Sequence, residues 1–137
     1  YSNRRGSPWF RDPGVIREQI DGLSIAPNGW GDIKHASLRN SRFMISVHQD
    51  EFPYTEPLRL SLAAAYGLPV VMEKCLDVSP YTASRAVIQV DKDSIVNTVK
   101  TLLRSYPTIY HEGLLLRDKF TRRETFRACL EENLWAR

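Results

Sequence analysis

Apolar residues recur along this chain in two rhythms. Short, nearly continuous apolar runs at 23–26, 43–47, 70–72 and 87–90 are bounded by turn-forming or polar residues, the pattern of strands buried on both faces. Between and after them the period lengthens to that of helices. Asp12-Pro13 ahead of Val15, Ile16 and Ile20 reads as an N-cap, a first-turn proline and an apolar face, closed by Gly22. Asp32 is placed to cap a short helix through about Asn40, and Thr55 a helix to Tyr66 ended by Gly67 in the left-handed conformation. In that 55–66 helix, Leu58, Leu62, Ala65 and Tyr66 make one stripe, and Leu60 and Ala64 make other faces apolar too. A helix apolar nearly all round is expected to be buried. Asp91 opens a helix whose Ile95, Val96, Val99, Leu102 and Leu103 form a clean stripe, with Pro107 marking its end. Tyr110, Leu114 and Phe120 share a further helix, and Thr121-Arg122-Arg123-Glu124 has the spacing of a capping box ahead of Phe126, Cys129, Leu130 and Leu134.

Helices alternating with continuously apolar strands imply a parallel sheet covered on both faces. The expected fold is α/β: a single Rossmann-like open parallel sheet with flanking helices and a C-terminal helical cap, occupying residues 1–137 as one domain. Such sheets bind ligands beyond the carboxyl ends of their strands. Here that edge gathers residues 27–31, 48–55 and 73–81.

Composition narrows the classes. Hydrophobic residues at 42% and charged residues at 26% are ordinary for a globular protein and exclude wholesale disorder. The longest apolar run is interrupted by Arg59 and Ser61, short of the ~18 residues of a membrane span. A net charge of +3 tolerates an anionic ligand without marking a nucleic-acid binder. Cys75 and Cys129 lack metal-ligand or disulfide spacing, so reduced thiols in a cytoplasmic setting are expected. The chain begins at Tyr1 rather than Met, so a longer natural N-terminus is expected.

The chain has no GxGxxG, Walker A, GxSxG or HExxH motif. His48-Gln49-Asp50-Glu51 groups potential metal ligands, but adjacent loop residues rarely converge on one ion, so neither a metal nor a cofactor is expected. More informative is the stretch 48–71, where a polar loop meets a helix start and an apolar helix leads into a Gly-x-Pro turn. The exposed N–H groups of that start, with Arg59 in the first turn, suit a phosphate or ribose diphosphate. Glu56 can accept hydrogen bonds from a vicinal diol. Equally, a first-turn glutamate is favourable on dipole grounds with no ligand at all. Arg4 and Arg5 read either as a solvated basic terminus or as a bidentate grip on a diphosphate. Trp30 reads as a packed loop anchor or a stacking platform.

The order Ser46-Val47-His48, Glu56-Pro57-Leu58-Arg59, Ala63-Ala64-Ala65-Tyr66-Gly67-Leu68-Pro69-Val70-Val71 and Glu73 resembles the C-terminal, donor-binding domain of the two-Rossmann-domain (GT-B) glycosyltransferases. Asn3-Arg4-Arg5 is similar to the Arg-rich turn after that domain's first strand, and Asn28-Gly29-Trp30-Gly31 to its Gly-x-Gly-Trp type turn. In many members two glutamates flank the helix start and one grips the ribose; the chain departs from this, with Leu62 five residues before Gly67 and Tyr54 eight before that. The resemblance implies a nucleotide-diphospho-sugar donor bound by Arg4, Arg5, Gly29, Trp30, His48, Tyr54, Glu56 and Arg59. It also implies a missing acceptor domain, which would supply any general base. The chain is then a fragment or a stand-alone half that binds a nucleotide sugar, assembles with a second protein chain or a second copy, or has lost catalysis. The competing expectation is a noncatalytic protein-interaction module built on a degenerate half-fold.

Overall fold

The computed structural model describes residues 31–48, 57–78, 81 and 84–123. The helix expected near 12–22, the strand expected at 23–26 and the segment beyond 123 lie outside the described residues. Among the described residues four helices and a three-stranded sheet follow in the order α1 (Asp32–Arg39), β1 (Met44–Ser46), α2 (Pro57–Tyr66), β2 (Val70–Glu73), β3 (Val87–Val90), α3 (Ile95–Arg104) and α4 (Tyr106–Arg123). A 3-10 turn, Lys92–Ser94, leads into α3. The strands stand in sequence order and both pairings are parallel. Met44 faces Val70 and Val70 faces Val87 across one register line. The α/β class and the parallel sheet expected from the apolar runs are therefore present.

Alternation along the strands divides the core in two. Val70 and Met72, with Met44 and Val87, face a layer made by Leu60, Ala63 and Ala64 of α2, Leu116 of α4 and Val78, Tyr81 and Ala86 of the connection from β2 to β3. On the opposite side Val71, with Ile45, Ile88 and Val90, packs under Ile95 and Val99 of α3. Val96, Leu102 and Leu103 are half-buried on the same helix, as the stripe requires. Each fully buried aliphatic side chain in these layers contributes about 1.5–3 kcal/mol relative to exposure.

The α2–β2 turn links α2 to the sheet and packs on α4. Gly67 has φ +66°, its N–H bonds to the Ala64 carbonyl at 3.0 Å and the Leu68 N–H to the Ala63 carbonyl at 2.9 Å. This pair of bonds is a Schellman motif, and Leu68, buried, supplies its apolar contact. The turn rests directly on α4: a Cβ added at Gly113 would lie 2.2 Å from the Gly67 carbonyl oxygen and 3.0 Å from Pro69 Cδ. Only a residue without a side chain permits that approach.

Two local expectations fail for identifiable reasons. α2 is not buried all round. Leu60, Ala63 and Ala64 are buried, Leu62 is half-buried, Ala65 is exposed, and Leu58 is 86% exposed. The helix lies on one face of the sheet, and its small residues at 63 and 64 give the close packing that the larger leucines on its flanks do not. Thr121 does not start a helix, because α4 runs unbroken through it to Arg123. The packing of Leu116 and Phe120 carries the helix past a local cap signal. α3 stops at Arg104, three residues ahead of Pro107 as expected, and Pro107 itself occupies the first turn of α4, where a missing N–H costs nothing. A smaller shift occurs at α1, whose N-cap is Gly31 while Asp32 is the first helical residue.

Candidate functional site

Because the strands are parallel, Ser46, Glu73 and Val90 all end on one side, and the residues that leave them form the carboxyl edge. Pro57 begins α2 with its φ already suited to a helix, which places Arg59 in the first turn, next to this edge. Arg59 Nη1 donates to Ser46 Oγ at 3.5 Å. Ser46 is only 5% exposed, so its hydroxyl faces inward toward the helix start rather than outward. Two residues further along α2, Ser61 Oγ and the buried Tyr81 hydroxyl are 2.9 Å apart, tying the helix to the β2–β3 connection.

His48 stands two residues beyond β1. Its backbone N–H donates to Glu73 Oε2 at 2.6 Å, and its ring Nε2 lies 3.3 Å from the Lys74 carbonyl oxygen. One strand over, the Cys75 N–H donates to Gln89 Oε1 at 3.1 Å, and the Cys75 thiol lies 3.4 Å from the same oxygen. Lys74 and Asp91 form an exposed ion pair at 3.0 Å across the mouths of β2 and β3, which contributes at most about 1 kcal/mol. Asp91, expected to cap the following helix, makes no side-chain cap bond there; its carboxylate pairs with Lys74 instead.

Of the residues expected to hold a donor, the structure thus brings His48 and Arg59 to the carboxyl edge. Each is tied to the strand ends separately, His48 through its main chain to Glu73 and Arg59 through its side chain to Ser46, the last residue of β1. Arg4, Arg5, Gly29, Trp30, Tyr54 and Glu56 lie outside the described residues, as do Gln49, Asp50 and Glu51. Among the described residues no group of three or more His, Cys, Asp or Glu side chains could hold a metal ion.

Sequence reasoning assigned no role to Glu73 and Gln89, which bind the main chain at this edge. A signal existed for the first: a carboxylate directly after the run Val70-Val71-Met72, at a position that turns out to be 6% exposed. Buried carboxylates need hydrogen-bond partners. His35 Nδ1 meets the Tyr66 hydroxyl across the α1–α2 contact.

A second polar cluster sits at the other end of the sheet. Tyr106 packs edge-on against Phe43 at 5.4 Å and tilts against Tyr110 at 5.7 Å, with the Arg42 guanidinium 5.4 Å from its ring centre. Burial pushes the Tyr106 phenol above its ordinary value; Tyr110 adds to the shift and Arg42 opposes it. No helix of the described residues is long and apolar enough to cross a membrane. No protein-family model, curated protein or solved structure matches the chain.

Proposed function

We propose that this chain is a glycosyltransferase-like donor half, a Rossmann-like sheet with a C-terminal helical cap that binds a nucleotide-diphospho-sugar for transfer by a two-domain enzyme. The observation that carries the reading is the placement of Arg59. It lies in the first turn of the helix that follows β1 and reaches the buried Ser46 at the carboxyl end of that strand. Parallel α/β sheets take phosphorylated ligands at this edge, where helix N–H groups and a guanidinium can share the charge.

In this reading Arg59 and the N-terminus of α2, with Arg4 and Arg5, stabilise the negative charge that develops on the leaving diphosphate. Glu56 accepts from the ribose diol, while Gly29, Trp30, His48 and Tyr54 line the donor. Electrostatic stabilisation of a leaving group needs no acid or base on this side of the cleft. A base that activates the acceptor belongs to an acceptor domain, and without one the chain binds the donor but does not transfer it. A cytoplasmic setting fits a nucleotide-sugar ligand and the Cys75 thiol.

A second reading has its own observation. Leu58 and Leu76, next to the exits of β1 and β2, are each 86% exposed. In a noncatalytic interaction module this edge is covered by a second protein chain or a second copy of this one.

Calorimetric titration with uridine, guanosine, adenosine and thymidine diphospho-sugars separates the two. The donor reading expects saturable binding, and Arg59→Ala weakens the diphosphate about ten-fold or more while leaving the bare nucleoside little changed. Absence of binding to every member of the panel at millimolar concentration, with a stable dimer by solution mass, supports the interaction module instead.

A further inference from the structure

The exits of β1 and β2 are held by the same device. Two residues beyond the end of β1, the His48 N–H donates to the side chain of Glu73 on β2. Two residues beyond the end of β2, the Cys75 N–H donates to the side chain of Gln89 on β3. In each case the neighbouring strand supplies the acceptor, so the loop is tied down where it leaves the sheet. The two ties differ in one respect that matters chemically. Gln89 is a half-buried amide, whereas Glu73 is a carboxylate at 6% exposure. An amide would satisfy one N–H equally in geometry, and burying a charge is costly unless strong hydrogen bonds hold it. The 2.6 Å separation at Glu73 is that of a charge-assisted bond. Lys74, next along β2's exit, adds its carbonyl to the His48 ring at 3.3 Å. His48 is therefore held through both its main chain and its ring by two consecutive residues of one strand end.

We infer that Glu73 is a positioning residue, which fixes His48 at the root of the β1–α2 loop and so sets the ligand-facing geometry of the carboxyl edge. The consequence for ligand affinity rests on the donor-site reading; the positioning of His48 does not. Groups that contact a ligand bind it well only when a supporting layer holds them in place.

Two measurements on the full chain test this separately. The first is nuclear magnetic resonance of the His48 amide. The wild-type protein is expected to show a through-hydrogen-bond coupling between the His48 amide nitrogen and the Glu73 carboxyl carbon. Glu73→Met, close in length but without an acceptor, shifts the amide proton upfield, and Glu73→Gln restores most of the wild-type position. No coupling in the wild type overturns the inference even if Glu73→Met does not fold. The second is titration with uridine, guanosine, adenosine and thymidine diphosphates. For the best ligand, Glu73→Met weakens binding about ten-fold, and Glu73→Gln stays within about two-fold of wild type. A folded Glu73→Met that binds as tightly as wild type overturns the link to the ligand. If the wild type binds none of the four while the coupling is present, the donor-site reading falls and Glu73 still positions His48.

Discussion

The two faces of the sheet are covered in different ways. One face lies under α3, a single helix whose apolar stripe matches the residues it meets, from Ile95 and Val99 onto Val71, Ile88 and Val90. The other lies under a composite of α2, α4 and the β2–β3 connection, in which Leu60, Leu116, Val78, Tyr81 and Ala86 come from separate parts of the chain. The first face needs only a helix with the right period. The second needs three segments to fit together, and it depends on small residues where backbones approach: Ala63, Ala64, Gly67 and Gly113. A one-helix cover tolerates small adjustments by sliding or tilting. A composite cover held at a glycine contact does not.

The largest effect is expected from a charge placed in the composite layer. Leu60→Asp should unfold the domain, because an unpaired carboxylate in a layer buried on several sides costs about 4 kcal/mol or more. On the exposed side of the same helix, Leu58→Asp should change stability by no more than about 0.5 kcal/mol. Denaturant unfolding of both variants measures the contrast; comparable losses would mean that α2 is covered on both sides.

A finer comparison sets a glycine on one face against a branched aliphatic on the other. Gly113→Ala should cost about 2–3 kcal/mol, because the new methyl group must displace the Gly67 turn, and this outweighs the ~1 kcal/mol that alanine's helix preference returns. Ile95→Val under α3 should cost about 1 kcal/mol. Urea midpoints at equal m-values give both numbers. A Gly113→Ala variant as stable as wild type would show that α2 and α4 can separate freely, and the distinction between the faces would be lost.

The smallest effect concerns pH at the amino end of the sheet. The Tyr106 phenol titrates above its ordinary value of 10.0, with desolvation the main cause. A folded-state value above the unfolded one gives a stabilisation present below pH 10 and lost as pH rises through the folded value. Denaturant midpoints should therefore fall slightly more steeply above pH 10 in wild type than in Tyr106→Phe. Parallel curves would remove Tyr106 from the account.

What was legible in the sequence follows the same division. The three described strands were readable as short apolar runs, and each appears within a residue of its expected limits. The α3 stripe was readable because its period is set by neighbours three and four residues apart. Gly67 was readable because only a glycine suits a left-handed residue after a helix without strain. The buried side of α2 was not, because leucines and alanines surround that helix and the period gives no unique direction. Thr121 misled for the opposite reason. Its spacing to Glu124 is a local start signal, and the packing of Leu116 and Phe120 carries α4 straight through it. Of the candidate site, Arg59 and His48 were legible as residues at a strand exit and a helix start. Glu73 and Gln89 were not given their roles, since each bonds to main chain on a different strand, 25 and 14 residues away.

By itself, then, the sequence determined the positions of the described strands, the parallel α/β class and the apolar stripe of α3. These follow from local periodicity, turn stereochemistry and the need of each apolar run to leave water. Tertiary structure decided which side of α2 is buried, that α4 runs on through Thr121, and which side chains tie down the strand exits. Those outcomes depend on pairs of groups brought together by strand register and by a glycine contact between α2 and α4. Free energy is shared between such partners, so neither one's position in the sequence reveals it alone.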